Sequence, residues 1–241
     1  MGRQGILVDE VYQAIKIIKE NRYLSLEGVS SHFADADNQD KTFSFLQLEN
    51  WKRCVTIFKK EFEDIKHFHI SASSGVDINQ KEFGNIVRLG IGLYGINISG
   101  DTSLNLKLVM RVESITTSIK ELNEGESIGY GRTHILDKRK KIATVPFGYF
   151  EGIDRRLSNL GSVKIGETLC PILGRVSMNM ISIDVSSVQD IKLEDKVIIL
   201  SENTADENSV KAIAEKENTI PYDILVHIAP SLKRRVISDF N

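Results

Sequence analysis

The chain has 241 residues, 41% of them hydrophobic and 27% charged, with a net charge of -2. This is an ordinary globular composition, sufficient for one barrel or two smaller domains. It gives no electrostatic reason to expect nucleic acid or an anionic membrane as partner, and no run of about 18 apolar residues is present to span a bilayer.

Read in chain order, the first hundred residues alternate between strand and helix. Ile6-Leu7 enters a helix that sets Val11, Ala14, Ile15 and Ile18 on one face, the spacing of a packed amphipathic helix. Gly28 to Phe33 reads as a short strand ending in polar residues. A second helix carries Leu48, Trp51, Val55 and Phe58 on one stripe. His67 to Ala72 is the next strand, and Ile86 to Leu93 another after a short helical link. Strands alternating with helices imply a parallel sheet. A complete eight-stranded barrel needs about 250 residues, so three or four units here predict part of a TIM-type barrel.

From Leu106 the period changes to two. Leu106, Leu108, Met110 and Val112 alternate with polar neighbours, and so do Ile181, Ile183 and Val185. Turn clusters at Asn123-Glu124-Gly125-Glu126 and Lys164-Ile165-Gly166-Glu167 separate such strands. One helix interrupts them, capped by Asn208 or Ser209, with Val210, Ile213 and Ala214 facing inward. The expected organisation is a partial α/β barrel over residues 1–100 and a mainly β domain over 101–241, with the boundary near Asn97 to Leu104.

Other local signals are weak. Cys54 and Cys170 are too few for a disulfide framework or a metal knuckle, and read as buried free thiols of a reducing cytoplasm. Asp35, Asp37 and Asp40 lack the Gly and Glu of a calcium loop, so no metal is expected. The N-terminal residues have no signal-peptide regions, and Ile6 stands where a myristoylation motif takes Ser or Thr.

Polar residues recur inside short Gly- and aromatic-rich motifs. These are Met1-Gly2-Arg3-Gln4-Gly5, Ser31-His32-Phe33-Ala34, His69-Ile70-Ser71-Ala72-Ser73-Ser74 and Arg88-Leu89-Gly90-Ile91-Gly92-Leu93-Tyr94-Gly95. They continue with Gly129-Tyr130-Gly131, Phe147-Gly148-Tyr149, Gly174-Arg175-Val176-Ser177-Met178 and Ile220-Pro221-Tyr222. Taken singly, each has a plain reading: a strand exit, a turn, a core methionine. Gly residues after Arg88 do allow backbone N–H groups to approach a phosphate closely.

Their joint order resembles the alanine racemases, enzymes that use pyridoxal 5'-phosphate to interconvert L- and D-alanine and so supply D-alanine for peptidoglycan. The resemblance implies that Arg88 meets the cofactor's pyridine nitrogen, that Ser73, Gly90, Ile91 and Tyr222 hold its phosphate, and that His32 stacks on its ring. It makes Tyr130 a base reaching in from the partner subunit, and Arg3 the residue that steadies both Tyr130 and the substrate carboxylate. Met178 and Tyr149 face the substrate, while Asp37, Arg155 and Arg175 line the entrance. Tyr222 narrows the pocket and favours alanine over serine. The chain departs from the family at Ala72, where Asn is frequent, at Asn179, where Asp is common, and at Ser177, where some members have Cys.

The family's Schiff-base lysine lies upstream of the Met1-Gly2-Arg3 segment, and Lys16, Lys19 and Lys52 fall on predicted helices. The chain alone is therefore expected to be inactive. Three arrangements fit: the C-terminal part of a longer racemase working as a homodimer, one half of a split enzyme complemented by an N-terminal half, or a non-catalytic relic or cofactor-binding or interaction module; a serine or broad-specificity racemase is the alternative in substrate.

Overall fold

A computed structural model describes residues 1–78, 83–98 and 104–237. The chain divides into two compact units, Met1–Lys107 and Leu108–Asn241. Of the expected boundary, residues 99–103 lie outside the described residues.

The first unit is α/β. Helix α1 (Val11–Glu20) buries Val11 and Ile15, and helix α2 (Thr42–Glu61) buries Leu48, Trp51, Val55 and Phe58, the stripe predicted from spacing. Phe58 packs with Val11 and Ile15, while Leu48, Trp51 and Val55 pack with Phe33, Phe68 and Ile70. Asp40 fixes the start of α2, its carboxylate accepting from the Thr42 N–H at 2.9 Å and the Thr42 hydroxyl at 2.6 Å. Strands β1 (Gly28–Ser30) and β2 (His67–His69) pair in parallel, with Val29 opposite Phe68. Parallel strands need a long crossover, and α2 provides it.

The predicted strand Ile86–Leu93 does not form. Residues 86–89 run extended beside β2, with Asn85 N–H donating to Phe68 O at 3.0 Å and Arg88 N–H to Ser71 O at 3.1 Å. The Asn85 side chain replaces part of the ladder. Its Oδ1 accepts from Phe68 N–H at 2.8 Å and its Nδ2 donates to Lys66 O at 2.6 Å, the competition that short polar side chains offer to backbone pairing. Ile91–Tyr94 then closes into a 3-10 turn.

The second unit is mainly antiparallel β. Strand β3 is Val112–Ile115; the alternation that begins at Leu106 enters a sheet only there, and residues 104–111 join no strand. Strands β4 (Ser118–Leu122), β7 (Lys140–Val145) and β10 (Ile181–Asp184) form one sheet with β7 central. Strand β3 joins β11 (Lys196–Leu200), β8 (Ser162–Ile165) and β9 (Thr168–Pro171) in that order. A small hairpin pairs β5 (Ser127–Ile128) with β6 (His134–Ile135). Ile181, Ile183 and Val185 are buried, as their alternation predicts.

Ser209 caps helix α3 (Val210–Glu217), accepting from Ala212 N–H at 3.3 Å. Asn208 is buried instead, its amide donating to Ile198 O at 2.9 Å. Helix α4 (Pro221–His227) follows, with proline at its first position, where the missing N–H costs no hydrogen bond. Cys170 is buried and its thiol is pushed up to about 11 by burial, whereas Cys54 is only half-buried. No helix among the described residues is long and apolar enough to cross a membrane.

Candidate functional site

In the first unit the residues just beyond β1 and β2 converge on Arg88. Its guanidinium donates to Ser31 O at 2.8 Å, to Ile70 O at 3.3 Å and to His32 Nδ1 at 2.9 Å, and it also contacts His69 Nδ1. Arginine can only donate, so both imidazoles present Nδ1 as an acceptor and are held neutral. Burial, and next the Arg88 charge, push the pKa of each ring down, and Arg3 adds a smaller effect on His32. His69 is the partner that motif reading did not single out, although it opens a motif that was read.

The sign of the resulting pH dependence follows. A histidine whose folded pKa lies below its ordinary 6.5 contributes stability that is complete above about pH 6.5 and is lost as pH falls through the lowered folded value. His69→Asn keeps an acceptor for Arg88 and removes one titrating ring. It is expected to lose less stability than the unmodified chain between about pH 7 and pH 5, read from urea midpoints. Identical acid sensitivity would show that His69 does not titrate against Arg88.

Ser73 is buried, and its Oγ accepts from Gly90 N–H at 2.9 Å and from Gly92 N–H at 3.1 Å. Ile91 seals the turn with a buried side chain. The amides that converge on Ser73 are those of Gly90 and Gly92, where the motif points to Gly90 and Ile91. A Cβ at Gly92 would meet Ser73 Oγ at 3.4 Å, and one at Gly90 would lie 4.0 Å from it. Two backbone donors thus converge on one oxygen beside glycines that carry no side chain, a donor arrangement that suits an oxyanion. Arg3 and Asp37 are exposed, Arg3 near enough for its charge to act on His32.

In the second unit three loops are tied together. Tyr130 is 68% exposed in a turn whose flanking Gly129 and Gly131 have φ of 72° and 69°, a backbone that side-chain-bearing residues rarely adopt. A Cβ on Gly129 would lie 3.0 Å from Arg175 N, and one on Gly131 would lie 3.4 Å from the Arg175 guanidinium carbon. The charge of Arg175 therefore stands beside the Tyr130 turn.

Tyr149 N–H donates to Ser177 O at 3.1 Å and Phe150 N–H to Met178 O at 2.9 Å. A Cβ on Gly148 would collide with both carbonyl oxygens. Asn159 Oδ1 accepts from Gly174 N–H at 2.7 Å, and Ser158 Oγ accepts from Val176 N–H at 3.0 Å. These bonds hold Tyr149, Arg175 and Met178 on adjoining loops beside the Tyr130 turn, all exposed. Arg155 lies in the 3-10 turn Arg155–Leu157, and Tyr222 at the start of α4. Asn179 donates from Nδ2 to Glu151 Oε1 at 2.8 Å, a bond that an aspartate there would not make.

Residues 1–98 match the family model for the alanine racemase N-terminal domain, and residues 109–236 match that for the C-terminal domain. The chain belongs to the alanine racemase family. It is 36% identical over 237 residues to the alanine racemase of Halothermothrix orenii, covering 97% of this chain and 62% of that protein. Among solved structures it is similar to the alanine racemase of Clostridium difficile 630, with a TM-score of 0.84 and 31% identity over 95% of this chain and 60% of that one. It is also similar to the Bartonella henselae alanine racemase with covalently bound pyridoxal phosphate, with a TM-score of 0.80 and 25% identity over 98% and 64%. The chain thus spans less than two thirds of the length of the racemases it matches. Its fold is that of the matching portion of the alanine racemases, part of an α/β barrel domain followed by a β-rich domain.

Proposed function

We propose that this chain contributes the phosphate recess, the pyridine-facing arginine and the substrate-side loops of a pyridoxal-phosphate-dependent alanine racemase. The observation that carries the reading is the pairing of two donor sets in one unit. The Gly90 and Gly92 amides with Ser73 fit a phosphate, and Arg88, clasped between two neutral histidines, fits an aromatic nitrogen. When bound, the cofactor supplies a sink for the electron pair left as the α-hydrogen departs.

Arg88 sets how deep that sink is. Its guanidinium can only donate a hydrogen bond and does not hand over its proton, so a ring nitrogen held there would stay unprotonated. Neutral His32 offers a flat face to the ring without adding charge. Racemisation needs one base to take the α-proton and a second group to return one from the opposite face. Tyr130 is the group for one face. The Arg175 guanidinium lies next to its turn. In the first unit Arg3 is assigned to the substrate carboxylate and Asp37 to the entrance; in the second, the Met178 backbone and Tyr149 are assigned to the substrate, Tyr222 to narrowing the pocket to a small side chain, and Arg155 and Arg175 to the entrance.

The second base and covalent anchor is a lysine. Lys16, Lys19 and Lys52 sit on α1 and α2 and face Glu20, Glu61 and Glu49, so the reading assigns that lysine to a segment outside residues 1–241. A homodimer with each Tyr130 serving the other subunit, a cytoplasmic location and a role in D-alanine supply belong to the same reading. The test is D-alanine formation from L-alanine with added cofactor. Residues 1–241 alone are expected to show none, and the same residues assembled with a racemase segment bearing the lysine are expected to show it. Turnover by residues 1–241 alone, or none in the assembly, would overturn the reading.

A further inference from the structure

A second cluster of charged groups lies in the second unit, where α3 and α4 meet the turn Arg155–Leu157. Glu217 ends α3, and its side chain is 2% exposed. Arg156 crosses to it: Nη1 donates to the Glu217 carbonyl at 2.6 Å, and Nη2 donates to Asp154 Oδ2 at 2.8 Å and reaches Glu217 Oε2 at 3.5 Å. Asp223 of α4 stands 3.9 Å from the same Nη2, accepts from Thr219 Oγ at 2.9 Å, and lies 3.3 Å from His227 Nδ1.

The sheet side offers Glu217 nothing charged. It lines a cavity of about 30 Å³ with Leu157, Ile199, Ile213 and Ile224. The polar side chain beside it there is Ser162, whose Oγ is buried and has no hydrogen-bond partner among the described residues. Three carboxyls therefore face one guanidinium and one imidazole. The carboxyl in the apolar wall is the one that ionises least readily: burial first, and then Asp154, push Glu217 up to about 7, against the pull of Arg156. The surroundings resist the ionised form, so losing the proton weakens the packing at this junction.

We propose that Glu217 and Arg156 are a positioning pair for the substrate entrance, Arg156 pinning the turn that carries Arg155 to the end of α3 beside the helix that carries Tyr222, and that this junction packs tightest while the Glu217 carboxyl sits neutral against its apolar wall. The inference rests on the roles proposed above for Arg155 at the entrance and Tyr222 in the pocket. It has two readouts, so that the two readings fail separately.

The first is amide hydrogen exchange of the full chain, corrected for intrinsic rates, at about pH 6 and about pH 8.5. Amides of α3 and α4 are expected to lose about tenfold in protection at the higher pH, the change that one displaced proton equilibrium produces over a pH unit. Glu217→Gln, neutral at every pH and still able to accept from Arg156, is expected to abolish the loss, and so is Glu217→Leu. Unchanged protection in the unmodified chain, or the same loss in both variants, would overturn the pair. The second readout is KM in the assembled racemase. KM for L-alanine is expected to rise with pH over this range in the unmodified enzyme and to stay flat in Glu217→Gln, with kcat little affected. Loosening without any KM change would overturn the entrance role, whereas an inactive assembly would refute the racemase reading and leave exchange to judge the pair.

Discussion

In an assembled racemase containing residues 1–241, Tyr130→Phe is expected to lower kcat/KM by about 10²–10⁴-fold, the range for removing one general acid–base group. The loss must be equal in both directions, because L- and D-alanine are enantiomers of equal free energy and the ratio of the two kcat/KM values is fixed by equilibrium. Asymmetry belongs to another observable. In deuterium oxide the remaining base still takes and returns the α-hydrogen on its own face, so one enantiomer exchanges without racemising while the other stays protonated. Near-normal racemisation, or equal exchange of both enantiomers, would remove Tyr130 from the role of base. The Gly129 and Gly131 backbone and the neighbouring Arg175 remain in this variant, so the loss reports on the hydroxyl alone.

Arg88→Lys carries the second large effect. The guanidinium spans Ser31 O, Ile70 O, His32 and His69 at once, which a compact ammonium with three donors cannot do. Two neutral imidazoles and two strand-end carbonyls would then share one point charge. Stability is expected to fall by about 2–3 kcal/mol, in the range for hydrogen bonds to charged groups and the polar groups they leave unpaired. Affinity for pyridoxal phosphate is expected to fall by at least about tenfold, since 1.4 kcal/mol of lost contact suffices. Chemical denaturation and equilibrium dialysis measure the two. A lysine variant that matches the original in both would mean that the fork geometry of Arg88 is not what holds the recess.

Much of this architecture was legible because it rests on period and turn chemistry. Buried stripes at i, i+3, i+4 and i+7 gave α1 and α2, and alternation gave β10. The misplaced strand at Ile86–Leu93 shows the limit of such reading. Its apolar residues do run beside β2, but the Asn85 side chain takes over ladder bonds that only three-dimensional proximity reveals. The site divides in the same way. Arg88, Ser73 and Gly90 stand in a recognisable string, whereas the clasp of His69 on Arg88 and the Gly92 amide depend on which groups the strand ends bring together. The Glu217 cluster left no sequence trace, since a Glu late in a helix reads as a solvated face until α4 and the Arg155–Leu157 turn cover it.

The most direct test is borohydride reduction of the endogenous polypeptide that contains residues 1–241, followed by peptide mass mapping. The account predicts reduced cofactor on a lysine outside residues 1–241, in protein that racemises alanine before reduction. Cofactor fixed to a lysine within residues 1–241, or none fixed in an active preparation, would contradict it.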